Sequence, residues 1–175
     1  VERSRAVMRD LMALTGETAN LGIERDGDVL FVSQGETHQT IRAFFPPGTL
    51  SPMHASGIGK ALLAQWSTQR VDDMLAARAP EAFTEHTLTT RDGLMRDLRQ
   101  TQQRGYSFDA EEKNIGMRCI AAPVFDIYGE AVAGISISGP VARVTDAKVA
   151  EMGAAVRAHA NALTHELGGV VLPPP

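Results

Sequence analysis

The sequence predicts a mixed α/β domain in which terminal helices cover one side of a mixed or antiparallel sheet. The first ground is the order of patterns along the chain: helix, three strands, three helices, three strands and a long final helix. The second is that Asp26-Gly27 and residues 126–130 join neighbouring strand patterns by short turns, which favours antiparallel pairing. The third is size. A chain of 175 residues and 18.8 kDa makes one ordinary domain, able to bury roughly two-thirds of its unfolded surface without staples.

The opening helix rests on Val7, Met8, Leu11, Met12 and Leu14, which recur at helical spacing over residues 4–15, with Gly16 as its stop. Residues 18–24 and 29–33 read as strands around the Asp26-Gly27 turn, and a third extended stretch is expected over 39–45, ending at Pro46-Pro47-Gly48. Ser56 can cap a helix through Lys60, Ala61, Leu62 and Leu63, and a second short helix follows Ser67. Gly57 and Gly59 weaken the first of these by about 1 kcal/mol each relative to alanine, yet allow close backbone approach at its start.

Thr89 and Asp92 match a loose cap pattern before a helix with apolar positions Leu94, Met95 and Leu98, ended by Gly105. Residues 106–108, 117–125 and 131–138 read as strands. Thr145 is expected to cap the final helix, where Val149, Met152, Val156, Leu163 and Leu167 keep a helical period until Gly168-Gly169. Residues 170–175 read as a frayed, flexible tail, and a first residue of Val1 instead of Met suggests a piece of something longer.

Composition excludes several classes. Seventeen basic against twenty-one acidic residues leave a net charge of −4, which argues against a chain coated in phosphate-binding sites. The single Cys119 excludes an internal disulfide framework and every multi-cysteine zinc site. His38, His54, His86, His159 and His165 form no metal motif, and neither a metal nor a cofactor is expected. No apolar run approaches membrane-spanning length and no signal segment follows Arg3, Arg5 and Arg9, so the expected compartment is a reducing cytoplasm with no membrane partner.

Chemistry is concentrated in four places. Residues 53–60, Met-His-Ala-Ser-Gly-Ile-Gly-Lys, lack the spacing of a phosphate loop but could offer free backbone N–H groups to one carboxylate, or could equally mark tight packing. In Ile135-Ser136-Ile137-Ser138 the period of two puts both isoleucines on one face and both hydroxyls on the other. Met117, Cys119 and Ala121 share a face that the short turn can set beside those serines. Asp109 ends a strand and could accept a hydrogen bond from a ligand hydroxyl or a water, while Glu111 and Glu112 read as solvated loop residues. His54, Asp109 and Cys119 also permit a cysteine-centred enzyme, though the residue types alone supply neither an activated nucleophile nor oxyanion donors.

Taken together, residues 52–61 (Pro-Met-His-Ala-Ser-Gly-Ile-Gly-Lys-Ala), 104–109 (Arg-Gly-Tyr-Ser-Phe-Asp), 116–123 (Gly-Met-Arg-Cys-Ile-Ala-Ala-Pro) and 135–140 (Ile-Ser-Ile-Ser-Gly-Pro) resemble the effector-binding domain of IclR-type bacterial transcriptional regulators. The resemblance covers residues 1–169. It implies a curved, mainly antiparallel sheet with flanking helices, broadly similar to GAF-like and profilin-like sensory domains. It also implies homodimers or homotetramers, a small organic acid as effector, and operator DNA bound through an N-terminal winged helix-turn-helix domain absent from these residues.

By position, the resemblance makes Gly57 and Ile58 the backbone donors to a ligand carboxylate, with Asp109, Cys119, Ser136 and Ser138 as polar contacts and Ala43, Ser51 and Met117 as wall. Ala43 and Ser51 are smaller than the wall of the glyoxylate-responsive pattern, and Ile58 replaces a small alanine, changes expected to alter both the volume and the polarity of the pocket. A small monocarboxylate, hydroxy acid or keto acid is the first expectation, with an aromatic acid open. A cysteine-dependent enzyme and a purely structural oligomerisation domain are the other function classes.

Overall fold

A computed structural model describes residues 1–171; the expected tail at 170–175 lies mostly outside these. Helix α1 (Ser4–Thr15) ends where Gly16 turns left-handed at φ 73 and returns its N–H to Met12. Strands β1 (Thr18–Arg25) and β2 (Asp28–Gly35) form a hairpin whose turn residues Asp26 and Gly27 both have positive φ, the conformation a tight hairpin demands. Strand β3 (Leu50–Pro52) pairs antiparallel with residues 28–30 of β2.

The expected strand over 39–45 does not form. Residues 36–49 run as an irregular loop whose carbonyls bond to side chains from elsewhere: Ala43 accepts from Thr18 Oγ1 at 3.0 Å and Ile41 from Arg143 Nη2 at 2.6 Å. Phe45 closes the loop onto β2 by stacking on Phe31, with ring centres 5.0 Å apart.

After a 3-10 turn at Met53–Ala55, Ser56 caps α2 (Gly57–Leu63) by accepting from the Gly59 N–H at 3.2 Å. Gly59 is required there because a Cβ would stand 2.2 Å from the Met53 carbonyl oxygen. Ser67 caps α3 (Thr68–Ala77). The cap of α4 (Arg91–Arg104) is Thr90, whose Oγ1 accepts from Gly93 N–H, one residue later than the loose pattern at Thr89 suggested. Strands β4 (Ser107–Ala110), β5 (Met117–Phe125) and β6 (Ala131–Pro140) follow as a meander. Thr145 makes no side-chain cap bond. It precedes a 3-10 turn at Asp146–Lys148, and α5 (Val149–Glu166) begins only after that turn.

The six strands form one antiparallel sheet in the order β3-β2-β1-β6-β5-β4, as the fold class expected. On one face Ile120, Val124, Ile135 and Ile137 pack against Val7 and Leu11 of α1 and Val156, Ala160 and Leu163 of α5, a continuous apolar layer. The second face carries a separate cluster built from Val29, Phe31, Met53, Ile58, Leu62, Leu94 and Leu98, so α2 and α4 cover what the terminal helices leave open. Among the described residues no helix is long and apolar enough to cross a membrane.

Candidate functional site

The face beneath α2 is polar where a core layer would be apolar. Pairing register sets two rows of side chains across the sheet: Gln34, Asn20, Ser136, Ala121 and Ser107 in one, Thr18, Ser138, Cys119 and Asp109 in the other. Thr18, Asn20, Ser107, Ser136, Ser138 and Asp109 are all buried. Buried polar groups need partners: Thr18 Oγ1 donates to the Ala43 carbonyl, Ser107 Oγ donates to the Gly57 carbonyl and Asp109 Oδ1 accepts from the Glu112 N–H, while the others bond among the rows. Asn20 Nδ2 donates to Ser138 Oγ at 3.3 Å and Ser136 Oγ at 3.5 Å, Gln34 Nε2 donates to Asn20 Oδ1 at 3.3 Å, and Ser138 Oγ lies 3.0 Å from Cys119 Sγ.

A cavity of about 20 Å³ lies at the Asp109 end, lined by Ser51, Gly57, Asp109, Met117 and Cys119 together with Phe31, Phe45, Ala55, Ser56, Lys113 and Asn114. The structure thus gathers five of the expected site residues around one space. Ser138 lies one hydrogen bond from the lining, on Cys119, Ser136 is reached from Ser138 only through Asn20, and Ala43 touches the site through its carbonyl on Thr18. Ile58 is placed differently from expectation. Its side chain packs over the backbone of Gly134 and Gly22, where Cβ atoms would meet it at 2.7 and 3.1 Å, so it fills core volume and not the cavity. Only its main chain can serve a ligand. Among the described residues, no acceptor is bonded to the N–H of Gly57 or Ile58, whereas the next two N–H groups are taken by Ser56.

Electrostatics separate the polar groups into two sets. Burial, and then the negative charge of Glu112, push the Asp109 carboxyl up to about 7. Burial also pushes the Cys119 thiol up, reinforced by Asp109. Behind them lies a fully buried ammonium, Lys60, at 2.8 Å from Asp97 Oδ2 and 2.9 Å from Glu112 Oε1, with a hydrogen bond to the Phe108 carbonyl. Burial works against its charge, but the two carboxylates outweigh that and hold it protonated. Glu112 is therefore buried and structural, not the solvated loop residue that the sequence suggested. Glu112 N–H donates to Asp109 Oδ1 at 2.9 Å, tying this ion cluster to the cavity.

Asn20 and Lys60 escaped the sequence reading. An asparagine between the apolar Ala19 and Leu21 of β1 was the available signal for Asn20; Lys60 gave none, because its partners lie far along the chain. The cysteine-centred constellation does not assemble. His54 Nε2 is engaged with the Glu81 carbonyl at 2.8 Å and its ring stacks on Phe83, away from Cys119, whose thiol is held protonated. A larger groove of about 310 Å³ beside β3 and α3 shares Ser51 with the cavity but no other expected site residue. No group of three His, Cys, Asp or Glu among the described residues could hold a metal ion.

Residues 1–165 match the family model described as bacterial transcriptional regulator IclR, C-terminal. The chain is 58% identical over 156 residues to the HTH-type transcriptional regulator BhcR of Paracoccus denitrificans, covering 89% of this chain and 56% of that protein. It is 43% identical over 166 residues to the transcriptional repressor IclR of Escherichia coli, covering 94% of this chain and 61% of that one. The chain thus spans about six-tenths of the length of these curated relatives, which are named as regulators and repressors and not as enzymes. Among solved structures, the C-terminal domain of the E. coli regulator KdgR superposes with a TM-score of 0.85 at 31% identity, over 95% of this chain and 97% of that one. The Thermotoga maritima IclR structure gives 0.90 at 29% identity, over 95% and 68%.

Proposed function

The chain belongs to the IclR family of bacterial transcriptional regulators, and we propose that it is the effector-sensing part of such a regulator, taking a small organic acid onto the polar floor beneath α2. The observation that carries this reading is the pair of buried polar rows, which occupy a layer that apolar side chains would fill at no desolvation cost. Gly57 and Ile58 supply main-chain N–H groups to the carboxylate. Asp109, Cys119, Ser136 and Ser138 receive its remaining polar atoms, with Ser51, Met117 and Ala43 as wall. A small monocarboxylate, hydroxy acid or keto acid fits this arrangement best.

The size of the cavity supports a switching role. A space of about 20 Å³ holds roughly one water, far below the volume of an organic ligand site. Effector binding therefore requires a wider state of the domain, and differential affinity for that state is what shifts a population. A tenfold preference supplies about 1.4 kcal/mol, enough to reset a nearly balanced equilibrium between states. In the whole regulator, assembled as a homodimer or homotetramer in the cytoplasm, that shift would reposition DNA-binding domains on the operator.

Calorimetric titration with glyoxylate, pyruvate, hydroxy acids, dicarboxylates and aromatic acids tests the reading, with the S136A/S138A double variant as control. Saturable binding without turnover, lost in the variant, is the expected result. Absence of binding across the panel would favour a purely structural assembly domain.

A further inference from the structure

Hydrogen bonds across the polar floor run in one direction, and Asn20 sets it. The residue is fully buried in β1, in register with Gln34 of β2 on one side and Ser136 of β6 on the other. Gln34 Nε2 donates to Asn20 Oδ1 at 3.3 Å, which commits the carboxamide oxygen to the β2 side. Both hydrogens of Asn20 Nδ2 therefore turn toward β6, where Ser138 Oγ accepts at 3.3 Å and Ser136 Oγ at 3.5 Å.

A hydroxyl that accepts from a fixed donor still has its own hydrogen to give. Ser138 gives its hydrogen to Cys119 Sγ, 3.0 Å away. Ser136, only 2% exposed, has no acceptor for its hydrogen among the described residues. A buried donor without an acceptor is unfavourable, and a ligand oxygen that reaches the floor relieves it. A methylene in the same place leaves it unrelieved. With the carboxamide turned the other way, its oxygen would take the hydrogens of both serines, and the floor would have none to give.

We propose that Asn20, oriented by Gln34, is a positioning residue of the effector site. It leaves the Ser136 hydroxyl free to donate to an oxygen beside the ligand carboxylate, and so selects keto and hydroxy acids over unsubstituted acids of the same length. The inference rests on the reading of the polar floor as the effector site. Calorimetric titration of the parent chain, N20D, Q34M and S136A with pyruvate and propionate tests it. The two acids carry the same charge and differ only at the carbon beside the carboxylate, so their affinity ratio is blind to general damage and to the charge that N20D introduces. The parent is expected to prefer pyruvate by about tenfold, the worth of one buried hydrogen bond. In N20D the carboxylate accepts from both serines, and the ratio should fall to within about twofold, as it should in S136A. Q34M frees the carboxamide to turn and should lower the ratio to about threefold. Thermal melts identify the folded variants, and where N20D lacks a cooperative transition, Q34M and S136A carry the same test. A tenfold ratio kept in the folded variants, or a parent that binds both acids equally, overturns the role of Asn20 and leaves the effector reading standing. A parent that binds neither acid overturns this selection, and the effector reading falls with it only when the wider panel of acids fails as well.

Discussion

Asp109 stands directly opposite Cys119 in the β4–β5 ladder, and burial works against the ionisation of both. The thiol carries the added burden of the carboxylate beside it, so it serves as a hydrogen-bonding group to Ser138 and not as a nucleophile. Hydroxyl, thiol and carboxyl thereby form one weakly charged surface across β6, β5 and β4.

Asp109 should make stability fall as pH rises. Its carboxyl is held at about 7 against an ordinary 3.8, so the folded state keeps a proton that the unfolded chain has already lost. The penalty is absent below the unfolded value, grows through the interval, and is complete above about 7, where it reaches the order of a few kcal/mol. D109N is expected to melt above the parent at pH 8, with the gap shrinking by pH 5. Parallel melting curves of the two proteins against pH would contradict this.

Lys60 holds two carboxylates inside the fold. K60M leaves Asp97 and Glu112 without their cation, and removing one partner of a buried ion cluster costs about 3–5 kcal/mol. Urea unfolding of K60M should show a loss of that size. A loss below about 1 kcal/mol would mean that the carboxylates escape to solvent or take up protons at little cost.

Arg143 joins the end of β6 to the start of β1 and to the loop over the cavity. It pairs with Glu17, which is 1% exposed, and donates to the Ile41 carbonyl. R143A should lower stability by about 3 kcal/mol through the stranded Glu17 carboxylate. It should also speed tryptic cleavage after the exposed Arg42 in that loop. Unchanged cleavage alongside lowered stability would separate the ion pair from the tether.

Ile58 and the glycine pair beneath it form one packing unit. G134A puts a methyl 2.7 Å from Ile58 Cγ2, an overpacking expected to cost about 1–3 kcal/mol. I58A in the same chain should return part of that loss, so the double variant is expected to be more stable than the sum of the two single losses by about 1 kcal/mol. Additive losses in denaturant unfolding would show that the contact relaxes freely.

Local signals were legible where local physics decides. The Asp26-Gly27 hairpin, the Ser56 cap, the Gly105 stop and the period-two serines of β6 depend on residues a few positions apart, and each takes its expected form. The resemblance to a family added the placement of Gly57, Asp109, Cys119, Ser51 and Met117 around one space. Residues 39–45 failed as a strand because their carbonyls are claimed by Thr18 and Arg143, the latter 102 positions from Ile41. Glu112 looked solvated because its partner Lys60 is 52 positions away. Ile58 looked like a change in pocket volume because nothing in its own segment discloses Gly22 and Gly134 beneath it.

The central pairing of β1 with β6 bears on how the chain acquires its fold. The β1–β2 hairpin and the β4–β5–β6 meander are local, but Asn20 and Ser136 meet across 116 positions. Closing that span is the slow, entropically demanding event of a non-local topology, and the two halves must dock before the polar floor exists at all. A molecule that occupies the floor then recognises a late product of folding. It should slow unfolding while leaving the refolding rate nearly untouched, a kinetic signature readable from the two arms of a chevron plot.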